Sequence, residues 1–457
     1  MKRHFFVPGM CMLLLLSSCQ KDSDKEDNTV TYTVTIDPTQ TYQKMIGFGG
    51  ALTWYSDRVM SSPGKTNICH YLFEDLGADI FRFKNWYYPL NYPSNKSAES
   101  MVSDGMKTSF NTTNQLFTLA RQANPDVQIL LSSWGPPASL KSNGKLNNGT
   151  LAKDANGFVY SAFADYWNDI LDHITFSPDY ISIQNEPSWG ADGWETCIWR
   201  PSETSEYPGY ENAFDSVYKR LSKRTNPPKM IGPEAENIGQ SSFGGNTFGA
   251  FTDVLKDKPY LEMYCYHTYN FSSSTPMSET ESLLSMIASG YGDRPNIMTE
   301  YSGMTWLKTA QFIIRNLNLA NSSGYIYWDM VWGEDDDKAM IKINYSGDYT
   351  ITPFYYMMKH FAKNVNAGDF RIDAGSNSIS LDYSAFINNA GDKITLVIVN
   401  PGIIDLKVDL KVSGKTVTAI SGVQSTDVAI YTDLGAISVT NPVLLKAGSL
   451  STFVISL

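Results

Sequence analysis

Eight apolar, β-prone runs separated by stretches of helical pattern constrain this chain more than any other feature. They span 46–50, 78–83, 127–133, 180–184, 229–232, 261–266, 296–299 and 324–328, with helical candidates such as 114–122, 162–174, 210–223 and 308–320 between them. Strands that are apolar along their whole length cannot face water on either side, so they belong in a parallel sheet covered by helices. Eight repeats of the unit favour a closed (β/α)8 barrel, a TIM barrel, over an open doubly wound sheet.

After a last helical stretch at 353–365 the pattern changes to short β-prone runs bounded by turn formers, such as 379–383, 394–399, 416–420 and 451–455. That spacing predicts an antiparallel β-sandwich. An early alternating run, Thr29 to Thr35, has no barrel partner and is expected to join it. The fold class is therefore α/β, a (β/α)8 barrel over 46–366 with an appended antiparallel β-sandwich formed from both termini, 30–45 and 367–457. A chain of 457 residues, 42% hydrophobic, is long enough to bury two such cores.

The first residues read as a targeting segment. Lys2, Arg3 and His4 precede a mostly apolar run too short to span a bilayer, and Ser17-Ser18-Cys19 follows. Leu16-Ser17-Ser18-Cys19 resembles a bacterial lipobox, which implies a signal peptide over 1–19 and a lipid on Cys19. Residues 20–29 then form a polar, flexible tether. The expected location is outside the cell's inner compartment, anchored by lipid to a bacterial outer membrane, with no other membrane contact. A net charge of -11 disfavours nucleic acid as a partner. Past Cys19 the cysteines are Cys69, Cys197 and Cys265, which fit neither a disulfide framework nor a zinc site. No catalytic metal and no cofactor are expected, and a monomer is.

In a barrel the chemistry sits where strands end. Strand four runs Ile181-Ser182-Ile183-Gln184-Asn185-Glu186-Pro187, and the proline stops it with Glu186 at its tip. Strand seven ends at Glu300-Tyr301. These two strands stand on roughly opposite sides of the mouth, so their carboxylates can face one another. Such a pair is the equipment of glycosidic bond cleavage: one acid protonates the leaving oxygen and the other attacks the anomeric carbon. Arg82 on strand two is expected to keep Glu300 ionised, while burial near Trp134 and the charge of Glu300 keep Glu186 protonated. Asn185 is placed to bond the hydroxyl beside the reacting carbon. His267 and Tyr269, from the end of strand six, take supporting roles. Nine of the ten tryptophans, Trp167 excepted, fall at strand ends or just after them, which suits stacking on sugar rings. Trp54, Trp86, Trp134, Trp328 and Trp332, with Tyr301, are the expected binding aromatics.

As an ordered set, Gly47-Phe48-Gly49-Gly50, Phe81-Arg82, Ser133-Trp134-Gly135-Pro136-Pro137, Ser182 to Pro187, Thr299-Glu300-Tyr301 and Thr352 to Tyr356 resemble glycoside hydrolase family 30. The resemblance implies a barrel with a side β-domain, Glu186 as acid/base and Glu300 as nucleophile. Trp194 to Trp199 look like the xylanase branch. Members of that branch specific for glucuronoxylan read the acidic side chain with an arginine just after strand eight, and here Glu334-Asp335-Asp336-Asp337 stands there instead. The expectation is thus a retaining hydrolase of β-linked plant polysaccharide, an endo-β-1,4-xylanase independent of glucuronic acid, with a polysaccharide or oligosaccharide as its partner. A β-glucosidase, β-1,6-glucanase or glucosylceramidase-like enzyme on the same scaffold is the nearest alternative. A surface glycan-binding lipoprotein is the alternative of another class.

Overall fold

The computed structural model describes residues 31–93, 108–239, 247–378 and 380–457. The targeting segment, the tether and Cys19 lie outside the described residues. Among the described residues, eight parallel strands close into a barrel in chain order: Gly47–Leu52, Ile80–Lys84, Gln128–Ser132, Tyr180–Ser182, Lys229–Ala235, Leu261–His267, Asn296–Glu300 and Gly324–Tyr327. The last pairs with the first, Gly324 opposite Gly47 through Tyr327 opposite Gly50. Gly49 is required there: a Cβ on it would overlap the carbonyl oxygen of Ile80 on the neighbouring strand at 1.7 Å.

Strand alternation sorts the barrel residues into two environments. Phe81, Phe83, Ile129, Leu131 and Tyr266 point outward and merge with the helices into one large core. Ala51, Ile80, Leu130, Ile231, Cys265, Ile297 and Ile326 point inward and fill the barrel's lower layers. Going up the same inward rows, Ile80 gives way to Arg82 and Lys84, Leu130 to Ser132, and Cys265 to His267. The apolar plug below and the polar layer above are thus set by the same period of two. The plug excludes water from beneath the charged layer.

Both chain ends meet in one nine-stranded sheet. Thr31–Lys44 pairs antiparallel with Phe370–Ser376 and parallel with Leu406–Val412. The last strand, Ser449–Ser456, lies between Lys393–Asn400 and Ala419–Ser425. Leu406, Val408 and Leu445 from one end of the sheet share a core with Ile420, Phe453 and Ile455 from the other, so the sheet curls over on itself to give the two-layered packing of a sandwich. It docks on the last barrel helices: Asp382 accepts from Arg315 at 3.0 Å and Gln311 at 2.7 Å. His360 is fully buried there, bonded to Thr452 and Ser425 at 2.8 Å each.

Candidate active site

A cavity of about 510 Å³ opens at the carboxyl ends of the barrel strands, with Glu186 and Glu300 in its wall. One oxygen of each carboxylate lies within 4.8 Å of the other, and a ring nitrogen of His267 falls in the same cluster. His267 Nδ1 is 3.0 Å from Glu186 Oε1, and its Nε2 is 3.9 Å from Glu300 Oε2. Burial lowers the affinity of His267 for a proton, with the charges of Glu300, Glu234 and Glu236 pulling the other way.

Arg82 ties the layer together. Its Nε donates to Glu234 Oε1 at 2.8 Å and to Ser132 Oγ at 3.1 Å. Its two terminal nitrogens donate to Glu300 Oε2 at 2.6 Å and Asn185 Oδ1 at 2.5 Å. One guanidinium thereby holds residues from strands two, three, four, five and seven, using the fixed fork that lysine lacks. Arg82 is 0% exposed, so it positions these groups and is not itself a sugar contact. The two carboxylates it faces respond differently. Glu234 is held below the usual carboxylate range, because the charges of Arg82 and His267 and the bonds it accepts together outweigh the burial that opposes them. Glu300 is pushed upward by burial, opposed by His267, Arg82 and the hydroxyl of Tyr269, which donates to its Oε1 at 2.9 Å. These donors favour the ionised carboxylate that a nucleophile requires.

Glu186 is pushed up to about 7, first by burial and then by the charge of Glu234, with Arg82 opposing. Its side chain is 14% exposed, so it stays open to the cavity. Glu186 and Glu300 repel one another, as expected, and Glu234 adds a fixed anion behind Glu186. Glu186 also sits at φ 47, a left-handed backbone that costs a non-glycine residue about 1 kcal/mol or more. Its N–H donates to the carbonyl of Glu234 at 3.1 Å, which helps hold that conformation and turns the side chain into the mouth.

Glu186, His267 and Glu300 are also, among the described residues, the group whose spacing could hold a metal ion. Arg82 already supplies a positive charge 2.6 Å from Glu300, so a dication there would be repelled. The charge arrangement suits an acid pair.

No family model matches the chain. Over 438 residues it is 22% identical to a Caenorhabditis elegans protein named Putative glucosylceramidase 3, covering 84% of this chain and 78% of that one. Over 286 residues it is 26% identical to the glucuronoxylanase XynC of Bacillus subtilis, 60% of each chain. Among solved structures, the glycoside hydrolase family 30 subfamily 8 xylanase Xyn30A of Clostridium acetobutylicum superposes with a TM-score of 0.71 at 20% identity, over 93% of this chain and 100% of that one. This chain has the family 30 fold.

Within the barrel, the residues read from sequence divide three ways. Trp54, Trp134, Asn185, Tyr269, Trp328 and Trp332 line the cavity with the two glutamates. Trp54 centres the aromatic wall, meeting Trp134, Trp328 and Trp332 edge-on at 5.7, 5.5 and 5.7 Å. Arg82 and His267 lie beneath the cavity and act through the carboxylates. Trp86 and Tyr301, expected to bind substrate, are buried away from it. Trp86 is committed elsewhere: its ring lies 3.4 Å from Lys84 Nζ, and its indole N–H donates to the carbonyl of Thr53. Tyr301 packs behind Tyr269 against Phe312.

Sequence reading misses Glu234 and Glu236. Local rules end strand five at Gly232, because Pro233 would interrupt a ladder, but the strand continues to Ala235. The signal is present as a strand-end Glu234-Ala235-Glu236, hidden by the proline before it. Trp189 and Trp194 also line the cavity. The acidic run Glu334 to Asp337 does not line it; Asp337 pairs with Lys342 on the surface at 2.8 Å.

Proposed function

We propose that this protein is a retaining glycoside hydrolase acting on β-linked plant polysaccharide, foremost an endo-β-1,4-xylanase that does not depend on glucuronic acid side chains. The observation that carries the reading is the pair Glu186 and Glu300, with oxygens within 4.8 Å across an open cavity. Carboxyl groups about 5 to 5.5 Å apart leave no room for an attacking water between them and the sugar, so one must attack directly.

Glu186 carries its proton near neutral pH and gives it to the leaving oxygen. Glu300 attacks the anomeric carbon as the glycosidic bond breaks, forming a covalent glycosyl ester. Glu186, now a carboxylate, takes a proton from water as the water attacks that carbon and releases Glu300. Arg82 and the hydroxyl of Tyr269 steady the charge on Glu300 throughout. The tryptophan wall supplies flat apolar faces for sugar rings. Independence from glucuronate is supported by the absence of any Lys or Arg among the described residues lining the cavity. Export with a lipid on Cys19 would place the enzyme where polysaccharide is met.

A product profile on xylan, glucuronoxylan, β-1,6-glucan and aryl β-glycosides tests the assignment. Xylo-oligosaccharides from undecorated xylan are the expected result. Release of glucose from β-1,6-glucan or an aryl β-glucoside alone would move the assignment to the other hydrolases of this scaffold. A protein that binds glycans but releases nothing from any of them would be a binding lipoprotein.

A further inference from the structure

The cavity has two unlike walls. Tryptophans from the ends of strands one, three and eight form one. Glu236, Asn237 and Asn270 give the other a carboxylate and two carboxamides. In the hydrolase reading, on which the role of this second wall rests, the leaving sugar departs on the side of the acid, Glu186, away from Glu300. Glu236 belongs to that side: Ser188, two residues past Glu186, donates its hydroxyl to Glu236 Oε1.

Glu236, just past the end of strand five, is held from two other strand ends. Besides Ser188, which follows strand four, its own backbone carbonyl accepts from the N–H of Tyr269, after strand six, at 3.2 Å. Asn270 fixes the following segment by accepting from the N–H of Ile238 at 3.3 Å. Asn237 also donates to Glu236 Oε1 at 3.5 Å, while the second oxygen, Oε2, is buried and has no hydrogen-bond partner among the described residues. A carboxylate oriented this firmly in a cavity wall is a preorganised acceptor for hydroxyl donors.

Charge decides which sugars suit it. The described lining residues include three carboxylic acids, Glu186, Glu236 and Glu300, and neither Lys nor Arg. Among the described residues, the two nearby cations are spent: Arg82 on Glu234, Glu300 and Asn185, and Lys84 on Glu195 at 2.5 Å. A uronic acid on the leaving side would meet negative charge, with no cation among the described lining residues to receive it.

We propose that Glu236 binds the leaving-group sugar, accepting hydrogen bonds from its hydroxyls and selecting neutral over uronic acid units at that position.

The test compares E236Q and E236A with wild type on two substrates sharing one glycone: an oligosaccharide, whose leaving group is a sugar, and an aryl β-glycoside, whose leaving group has no hydroxyls to bind. The oligosaccharide kcat/KM is expected to fall at least about tenfold more than the aryl value in E236A, and less in E236Q, as loss of a charge-assisted bond predicts. Equal losses on both substrates, or none on either, would overturn the proposal. A second measurement needs no variant. Wild-type enzyme turning over the aryl glycoside is offered neutral or uronic acid acceptors, and glycosyl transfer to the neutral acceptor alone is expected; equal transfer to both overturns the selectivity. Wild-type enzyme inactive on every glycan and aryl glycoside would instead sink the hydrolase reading, and the role of Glu236 with it.

Discussion

The mouth of the barrel and the seam where the terminal sheet docks both bury ionisable groups, and they treat them in opposite ways. At the seam, His360 is buried and neutral, its affinity for a proton depressed to about 3 by burial, with a hydroxyl on each ring nitrogen. Neither partner is charged and both nitrogens are satisfied. At the mouth, Arg82 is buried with Glu234 and Glu300, Glu186 stands at about 7, and backbone strain sits on Glu186 and Glu234, at φ 47 and φ 54. Burying a charge is unfavourable unless it is paired, and replacing such pairs by apolar groups is often neutral or stabilising. The seam is therefore arranged for stability. The mouth keeps charges where an apolar filling would serve folding equally well, which is the mark of a site shaped by chemistry.

The largest expected effect separates the regions on activity. Glu300→Ala should lower kcat on the order of 10⁴-fold or more on every substrate. Glu186→Ala should lower kcat/KM about 10²- to 10⁴-fold on polysaccharide and far less on an aryl glycoside with a good leaving group, because that group departs without a proton, whereas kcat falls on both because Glu186 is also the base of the second step. Initial rates on both substrates read this, and equal losses would contradict the assigned roles.

Next comes the cost of orphaning a buried charge. Arg82→Met leaves Glu234 and Glu300 without their cation and should destabilise the fold by about 3 to 5 kcal/mol, measured by urea unfolding. A loss under about 1 kcal/mol would mean that the mouth tolerates bare carboxylates and that the contrast with the seam is false.

The pH profile sharpens the comparison. Glu186 must be protonated to act as the acid, so activity should decline as pH rises through about 7. It should also decline at low pH as Glu300 gains a proton. On the aryl glycoside with a good leaving group, Glu186→Gln should retain the acidic limb and lose the alkaline one.

The smallest effect belongs to the seam. His360→Leu should cost about 1 to 3 kcal/mol by removing the ring's bonds to the Ser425 and Thr452 hydroxyls, each of which is left with only its backbone partner, with kcat unchanged. The pH dependence has a definite sign. The folded histidine resists protonation while the unfolded one accepts a proton near 6.5, so the unfolded state binds more protons between about 6.5 and 3. Stability should therefore fall as pH drops through that window, more steeply in the wild type than in His360→Leu. Parallel slopes in thermal melts would show that His360 is not the group responsible.

Much of the architecture is readable along the chain. Apolar patterning places all eight barrel strands to within a few residues, because a strand buried on both faces has no polar position to blur it. Glu186 and Glu300 are readable for a related reason: a carboxylate at the tip of an apolar run has nowhere to go but the mouth. What escapes is contact across the barrel. Trp86 and Trp134 look alike as aromatics after strands, yet one is taken by Lys84 and the other faces the cavity. Glu234 and Glu236 lie behind Pro233, which local rules read as the end of a strand.

By itself the sequence determined the eightfold repeat, the participation of both chain ends in the terminal sheet, and two acids at opposite strand tips, since these follow from local pattern and the right-handed, short-range way in which βα units connect. Only the tertiary structure decided which charge sits beside which. It brought Arg82 to three partners between 103 and 218 positions away, added Glu234 as a second anion behind Glu186, and set Glu236 in the cavity wall. The physical reason is range. Hydrophobic period acts between near neighbours in the chain, whereas desolvation and charge coupling depend on distances in space that no local pattern encodes.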